Sequence, residues 1–162
     1  MTKLVILRGN SGCGKTTVAH ALRDRLNVST MIVSQDVIRR DILNVKDTVN
    51  NNSIPLMKQI ISFGINRYEV IILEGILTSS KYRDFLLDLE TLDVECYYFY
   101  FDVSFDTTYK RHLLKQTDEF GMQELKAWWV ENDVLNLQNE FLIYDDANLE
   151  SIINKITRDL GY

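Results

Sequence analysis

Eight consecutive residues, Gly9-Asn10-Ser11-Gly12-Cys13-Gly14-Lys15-Thr16, constrain this chain more than any other stretch. They follow a short apolar run, Leu4–Leu7, and precede a segment in which Val18, Leu22 and Leu26 share one helical face. Glycines in a turn between strand and helix let the backbone curl until successive N–H groups point inward, which makes a concave anion site. The helix opening at Lys15 adds its positive end. A lysine there reaches the β- and γ-phosphates of a nucleotide, and the neighbouring hydroxyl of Thr16 ligates Mg²⁺. Chance is a poor account, because one random match to Gly-x-x-x-x-Gly-Lys-Ser/Thr in this composition has a probability of about 0.002. Gly9, Asn10, Ser11, Gly12, Cys13, Gly14, Lys15, Thr16 and Thr17 are therefore the expected nucleotide-binding residues, with Cys13 a small side chain at a variable position.

The rest of the chain supplies a frame for such a loop. Unbroken apolar runs recur at Met31–Val33, Val70–Leu73, Cys96–Phe101 and Phe141–Tyr144. Short β-branched and aromatic runs of this kind read as strands covered on both faces, as in a parallel sheet. Helical patterns lie between them at Lys15–Leu26, Ile54–Arg67, Tyr82–Leu89, Phe105–Lys115, Gln123–Val134 and Leu149–Leu160. Pro55 suits a first helical turn, with Ser53 as cap. The alternation predicts right-handed crossovers and a three-layer α/β/α fold with about five parallel strands. A length of 162 residues fits one domain spanning 1–162. The polar stretch Asn44–Ser53 reads as a surface loop of a length that is often functional.

Composition narrows the class of function. The chain is 46% apolar and 25% charged, as ordinary globular proteins are. No apolar run approaches the roughly 20 residues of a membrane span, and the apolar start is too short for a signal peptide. A net charge of −5 argues against a surface that tracks nucleic acid. Cys13 and Cys96 have neither pairing nor metal-ligand spacing, and neither do His20 and His112. These features predict a cytoplasmic protein without a membrane partner.

Two acidic positions carry the chemistry. Asp36 follows the second apolar run in Ser34-Gln35-Asp36-Val37-Ile38-Arg39-Arg40, at a strand's carboxyl end, where open α/β sheets bind ligands. Read alone, Asp36 is a helix N-cap, with Arg39 and Arg40 on a solvated face. Beside a phosphate loop, it is the carboxylate that accepts or orients the proton of an attacking hydroxyl. Arg39, one helical turn on, is then the donor that holds the acceptor or the travelling phosphoryl group. Glu74 ends the apolar run Val70–Leu73, and an acid so placed holds Mg²⁺ through water.

The phosphate loop, the Gln35-Asp36-x-x-Arg39-Arg40 run and the features that follow resemble the small P-loop kinases grouped with polynucleotide kinase, zeta toxin and bacterial metabolite kinases. The likeness runs over nearly the whole chain. It implies ATP and Mg²⁺ as cofactors and a lid over about residues 108–122. It makes Arg111 the lid arginine on the transferred phosphate, Lys115 a replacement for a second arginine, and Asp145–Asn148 a loop near the adenine base. Phe120-Gly121 before a tryptophan-bearing helix is similar too, with Trp128 and Trp129 expected in the core. Many such kinases carry Asp where this chain has Glu74. The catalytic set is then Lys15, Asp36, Arg39 and Arg111, with Thr16 and Glu74 at the metal. The implied activity is transfer of the γ-phosphate of ATP to a hydroxyl of a small molecule such as a nucleoside, sugar or antibiotic. A polynucleotide 5′-hydroxyl is the alternative acceptor, and a non-catalytic nucleotide-binding switch is the alternative class.

Overall fold

The computed structural model describes residues 1–114 and 121–162. Among them five strands form one sheet: β1 (Thr2–Gly9), β2 (Thr30–Ser34), β3 (Val70–Gly75), β4 (Val94–Phe101) and β5 (Glu140–Ile143). The spatial order is β2-β3-β1-β4-β5, and every pairing is parallel, as the apolar runs predict. β1 lies at the centre, in register with β3 from Lys3↔Val70 to Arg8↔Gly75 and with β4 from Thr2↔Val94 to Gly9↔Phe101. The chain leaves β1 toward β2 and β3 on one side and crosses to β4 and β5 on the other. The crevice of the sheet therefore opens where β1 ends.

The helices are α1 (Lys15–Arg25), α2 (Ser53–Gly64), α3 (Ser79–Leu89), α4 (Phe105–Leu114), α5 (Met122–Trp128) and α6 (Leu149–Asp159), with a π-helical turn at Val37–Ile42. Alternation along β1 explains why it reads as unbroken apolar sequence. Val5 and Leu7 face α1 and α6 through Val18, Leu22, Ile152 and Ile156. Leu4 and Ile6 face the opposite layer of Met57, Ile61, Tyr82 and Leu86. Each such side chain, fully removed from water, contributes about 1.5–3 kcal/mol. No helix among the described residues is long and apolar enough to cross a membrane.

Three sequence expectations shift. Ser53 is the first residue of α2 and not its cap; the Asn51 Oδ1 accepts from the Ser53 backbone N–H at 3.0 Å. The helix expected over Gln123–Val134 stops at Trp128, and the chain turns irregular, with Asn132 and Asn136 in left-handed conformations (φ 50° and 58°). Trp128 is 53% exposed and Trp129 half-buried against Phe105, so they do not both pack into the core.

One buried charge explains why that segment leaves the helix. Arg8, the penultimate residue of β1, is fully buried. Its guanidinium donates to Asp133 at 2.7 Å and Glu140 at 2.9 Å, and to the Leu77 carbonyl at 3.3 and 3.4 Å. Asp133 also accepts the Ser79 backbone N–H at the start of α3, at 2.8 Å. Glu140 accepts from the Leu135 and Asn136 backbone N–H groups, at 2.6 and 3.2 Å. A buried guanidinium without carboxylates is far costlier than a lost turn of helix. Asp133→Ala is thus expected to lower the unfolding free energy by about 3–5 kcal/mol. A loss below about 1 kcal/mol in urea titration would mean that Arg8 is held without it.

Candidate active site

The phosphate loop sits where β1 runs into α1. Gly12 and Gly14 take left-handed backbones (φ 79° and 106°), which no side chain adopts without strain, and a Cβ on Gly12 would also lie 3.2 Å from Thr108 of α4. α1 opens at Lys15, and the first turn of a helix leaves N–H groups free for an anion. Lys15 is 6% exposed, and its Nζ donates to the Asn10 carbonyl at 2.8 Å and approaches Cys13 Sγ at 3.5 Å. Arg111, on α4, donates from Nη1 to the Cys13 carbonyl at 2.8 Å. The expected lid arginine thus lies on the loop itself, and the Asn10 side chain turns away from it to bond Val130.

Strand register assembles the acidic end of the site. β2 and β3 pair Ser34 with Glu74, and β1 and β3 pair Leu7 with Glu74. Glu74 is 4% exposed; it accepts from Thr16 Oγ1 at 3.1 Å and Ser34 Oγ at 2.5 Å. A hydroxyl and a carboxylate 3.1 Å apart are the hard oxygen donors that Mg²⁺ takes, and the ion normally completes its shell with water and nucleotide phosphates. Among the described residues no group of three or more His, Cys, Asp or Glu gathers as a protein-only metal cage. Thr16 and Glu74 fit an ion shared with a nucleotide.

Asp36 begins the π-helical turn without making a capping bond, so the capping role is not realised. Its half-exposed carboxylate accepts from Arg39 Nη2 at 3.0 Å, while Arg39 Nη1 holds the Val45 carbonyl at 3.1 Å. Behind this pair lies a polar network that sequence reasoning missed. The Tyr82 hydroxyl on α3 donates to Asp47 at 2.5 Å and accepts from Gln35 at 3.0 Å and Asn51 at 3.1 Å. Burial, then the bond to Asp47, pushes the Tyr82 phenol above its ordinary pKa and keeps it a donor. Lys81 adds an ion pair to Asp47 at 2.7 Å. The loop after Asp36 is thereby fastened to α3. Only the length and polar composition of Asn44–Ser53 hinted at its importance, and neither names these partners.

On the other side of the phosphate loop, a cavity of about 280 Å³ lies between Gly12, Cys13 and Thr17 and the turn Ala147–Leu149, with Arg111 on its rim. This is the side expected for the base. At the neighbouring Asp145, the Ser104 backbone N–H donates at 2.8 Å and holds the carboxyl below the usual range. Lys115 and Phe120, with the middle of the expected lid, lie outside the described residues. Tyr98, Phe99, Tyr100 and Phe101 are buried, as core residues of β4. Lys15→Ala is expected to abolish nucleotide binding measurable by calorimetry; tight ATP binding by that variant would remove the loop from the site.

A family model described as an AAA domain matches residues 4–128. No curated protein sequence matches the chain. Solved structures do. The tunicamycin resistance protein of Deinococcus radiodurans is 16% identical with a TM-score of 0.69, over 99% of this chain and 96% of that one. A gluconokinase from Sinorhizobium meliloti 1021 is 15% identical with a TM-score of 0.65, over 98% and 91%. The APS kinase of Mycobacterium tuberculosis, solved with AMPPNP and APS, is 13% identical with a TM-score of 0.76, over 99% and 97%. At these identities the likeness is one of fold, that of P-loop kinases.

Proposed function

The chain belongs to the AAA domain family, and from that premise we propose that it is an ATP-dependent kinase for a hydroxyl of a small molecule. The observation that carries this reading is convergence at one end of the sheet. Lys15 and Thr16 follow β1, Glu74 is the penultimate residue of β3 and in contact with Thr16, and Asp36 lies two residues beyond β2. A nucleotide-binding module needs the first three groups. A kinase needs in addition a carboxylate for the acceptor hydroxyl, and the half-exposed Asp36, held by Arg39 just beyond β2, supports that role.

In this reading the loop N–H groups and Lys15 hold the β- and γ-phosphates, and the base enters the cavity beside Ala147–Leu149. Thr16 and Glu74 would hold Mg²⁺, which supplies charge neutralisation on the phosphates. Asp36 takes the proton of the acceptor hydroxyl as its oxygen bonds to the γ-phosphorus. The bond to the bridging oxygen breaks and ADP leaves. Arg39 keeps the Asp36 carboxylate aimed, and Arg111 faces the phosphoryl group from α4. Phosphoryl transfer asks little covalent chemistry of a protein, so positioning and charge provide the acceleration. The small-molecule acceptor is supported by the names of the structural neighbours, a gluconokinase and an APS kinase among them.

The test is a mass-spectrometric screen with ATP–Mg²⁺ and pooled nucleosides, sugars, hydroxylated antibiotics and 5′-hydroxyl oligonucleotides. A product heavier by about 80 Da, the mass of HPO₃, is expected in a small-molecule pool. Asp36→Asn should lower its rate by about 10²–10⁴ with ATP affinity nearly unchanged. Wild-type rates in that variant would exclude Asp36 as the proton acceptor, and product only from oligonucleotides would reassign the acceptor.

A further inference from the structure

Asn10 lies within the phosphate loop, yet its side chain is committed elsewhere. It is 6% exposed, and both ends of its amide meet one residue: Nδ2 donates to the Val130 carbonyl at 2.7 Å, and the Val130 N–H donates to Oδ1 at 3.0 Å. A buried amide with both ends satisfied has no reason to abandon them for a ligand. Val130 directly follows Trp129, the C-cap of α5. The Trp129 ring meets Phe105 edge-on, with centroids 5.3 Å apart and planes at 86°. Phe105 is the first residue of α4, and α4 returns to the loop through the bond from Arg111 to the Cys13 carbonyl. The contacts close a ring: loop, Asn10, Val130, Trp129, Phe105, α4, Arg111, loop. Three residues after Val130, Asp133 is fixed to the body of the sheet by Arg8. A shift of the loop relative to the sheet is therefore felt at Trp129–Val130.

We propose that Asn10 is a positioning residue and not a phosphate ligand: it locks the phosphate loop to Trp129–Val130 and thereby makes the placement of α4 and Arg111 depend on what the loop holds. This rests on the nucleotide-binding part of the proposed function. It assigns the variable position after the first glycine of the loop a mechanical role, linking nucleotide occupancy to the arginine on the adjoining helix.

The protein carries its own probe, because its two tryptophans, Trp128 and Trp129, both lie at this junction. Tryptophan emission is followed during titration with ATP–Mg²⁺, and affinity is measured independently by calorimetry. The unsubstituted protein is expected to change its emission in step with binding. Asn10→Ala, compared at saturating ATP–Mg²⁺, should lose at least about two-thirds of the emission change, since it cuts the tether and leaves the N–H cradle whole. Val130→Pro cuts it from the other end by removing the N–H that Asn10 accepts. The extended backbone of Trp129 (ψ 129°) admits a following proline. It should lose emission change in the same way. A full emission change in saturated Asn10→Ala, or a fall in ATP affinity of tenfold or more in Asn10→Ala but not in Val130→Pro, would each overturn the inference. So would ATP binding to the unsubstituted protein with silent tryptophans. No calorimetric binding of ATP to the unsubstituted protein would instead overturn the nucleotide reading and the inference with it. ATP binding without phosphoryl transfer to any acceptor would overturn the kinase alone, and the emission loss would then still support the tether.

Discussion

The bond from the buried Lys15 ammonium to the Asn10 carbonyl, 2.8 Å long, is the interaction on which the site depends. It spans the loop from its last turn to its first and closes the chain around the space a phosphate fills. A buried ammonium requires compensation by acceptors or by an anion. The loop carbonyl supplies part of it, and the phosphates of a nucleotide would supply the rest. The same constraint explains the left-handed glycines on the way, since the backbone must reverse its N–H and carbonyl directions within five residues.

Fold and site share their anchors. β1 sits between β3 and β4, so the loop is flanked by the ends of both neighbours; register sets Ser34 beside Glu74, and Glu74 accepts from both Ser34 and Thr16. Arg8, fully buried one residue before the loop, joins β1 to Asp133, Glu140 and the start of α3. α3 in turn fastens the loop after Asp36 through Lys81 and Tyr82. The phosphate loop and the loop after Asp36 thus rest on one connected set of polar contacts, fully buried at Arg8.

Much of this was legible in the chain itself because it is local. The strand, glycine turn and lysine-led helix occupy consecutive residues, and the apolar runs mark each strand because both faces are covered. Glu74 was visible because it directly follows such a run, and Asp36 because it stands three residues beyond one, at a strand's carboxyl end. What escaped was carried by contacts distant in sequence. Arg8 reads as one charge at a strand end, and nothing near it announces partners 125 and 132 residues away. Those partners overrode the helical pattern beyond Trp128. Asn10 read as one more nucleotide-binding residue of the loop, since its bond to Val130 crosses 120 residues. Tyr82 read only as the start of a helical pattern; its ring is buried, but its hydroxyl organises the loop after Asp36.

The most direct test of the central claim follows the γ-phosphorus of ATP itself. Phosphorus NMR of ATP–Mg²⁺ with the protein and a small-molecule acceptor distinguishes the fates of that atom. The account predicts a growing phosphomonoester resonance that matches the ADP formed, with inorganic phosphate minor. Inorganic phosphate formed at the same rate with and without every acceptor, and no phosphomonoester, would contradict it and mark the protein as a nucleotide hydrolase.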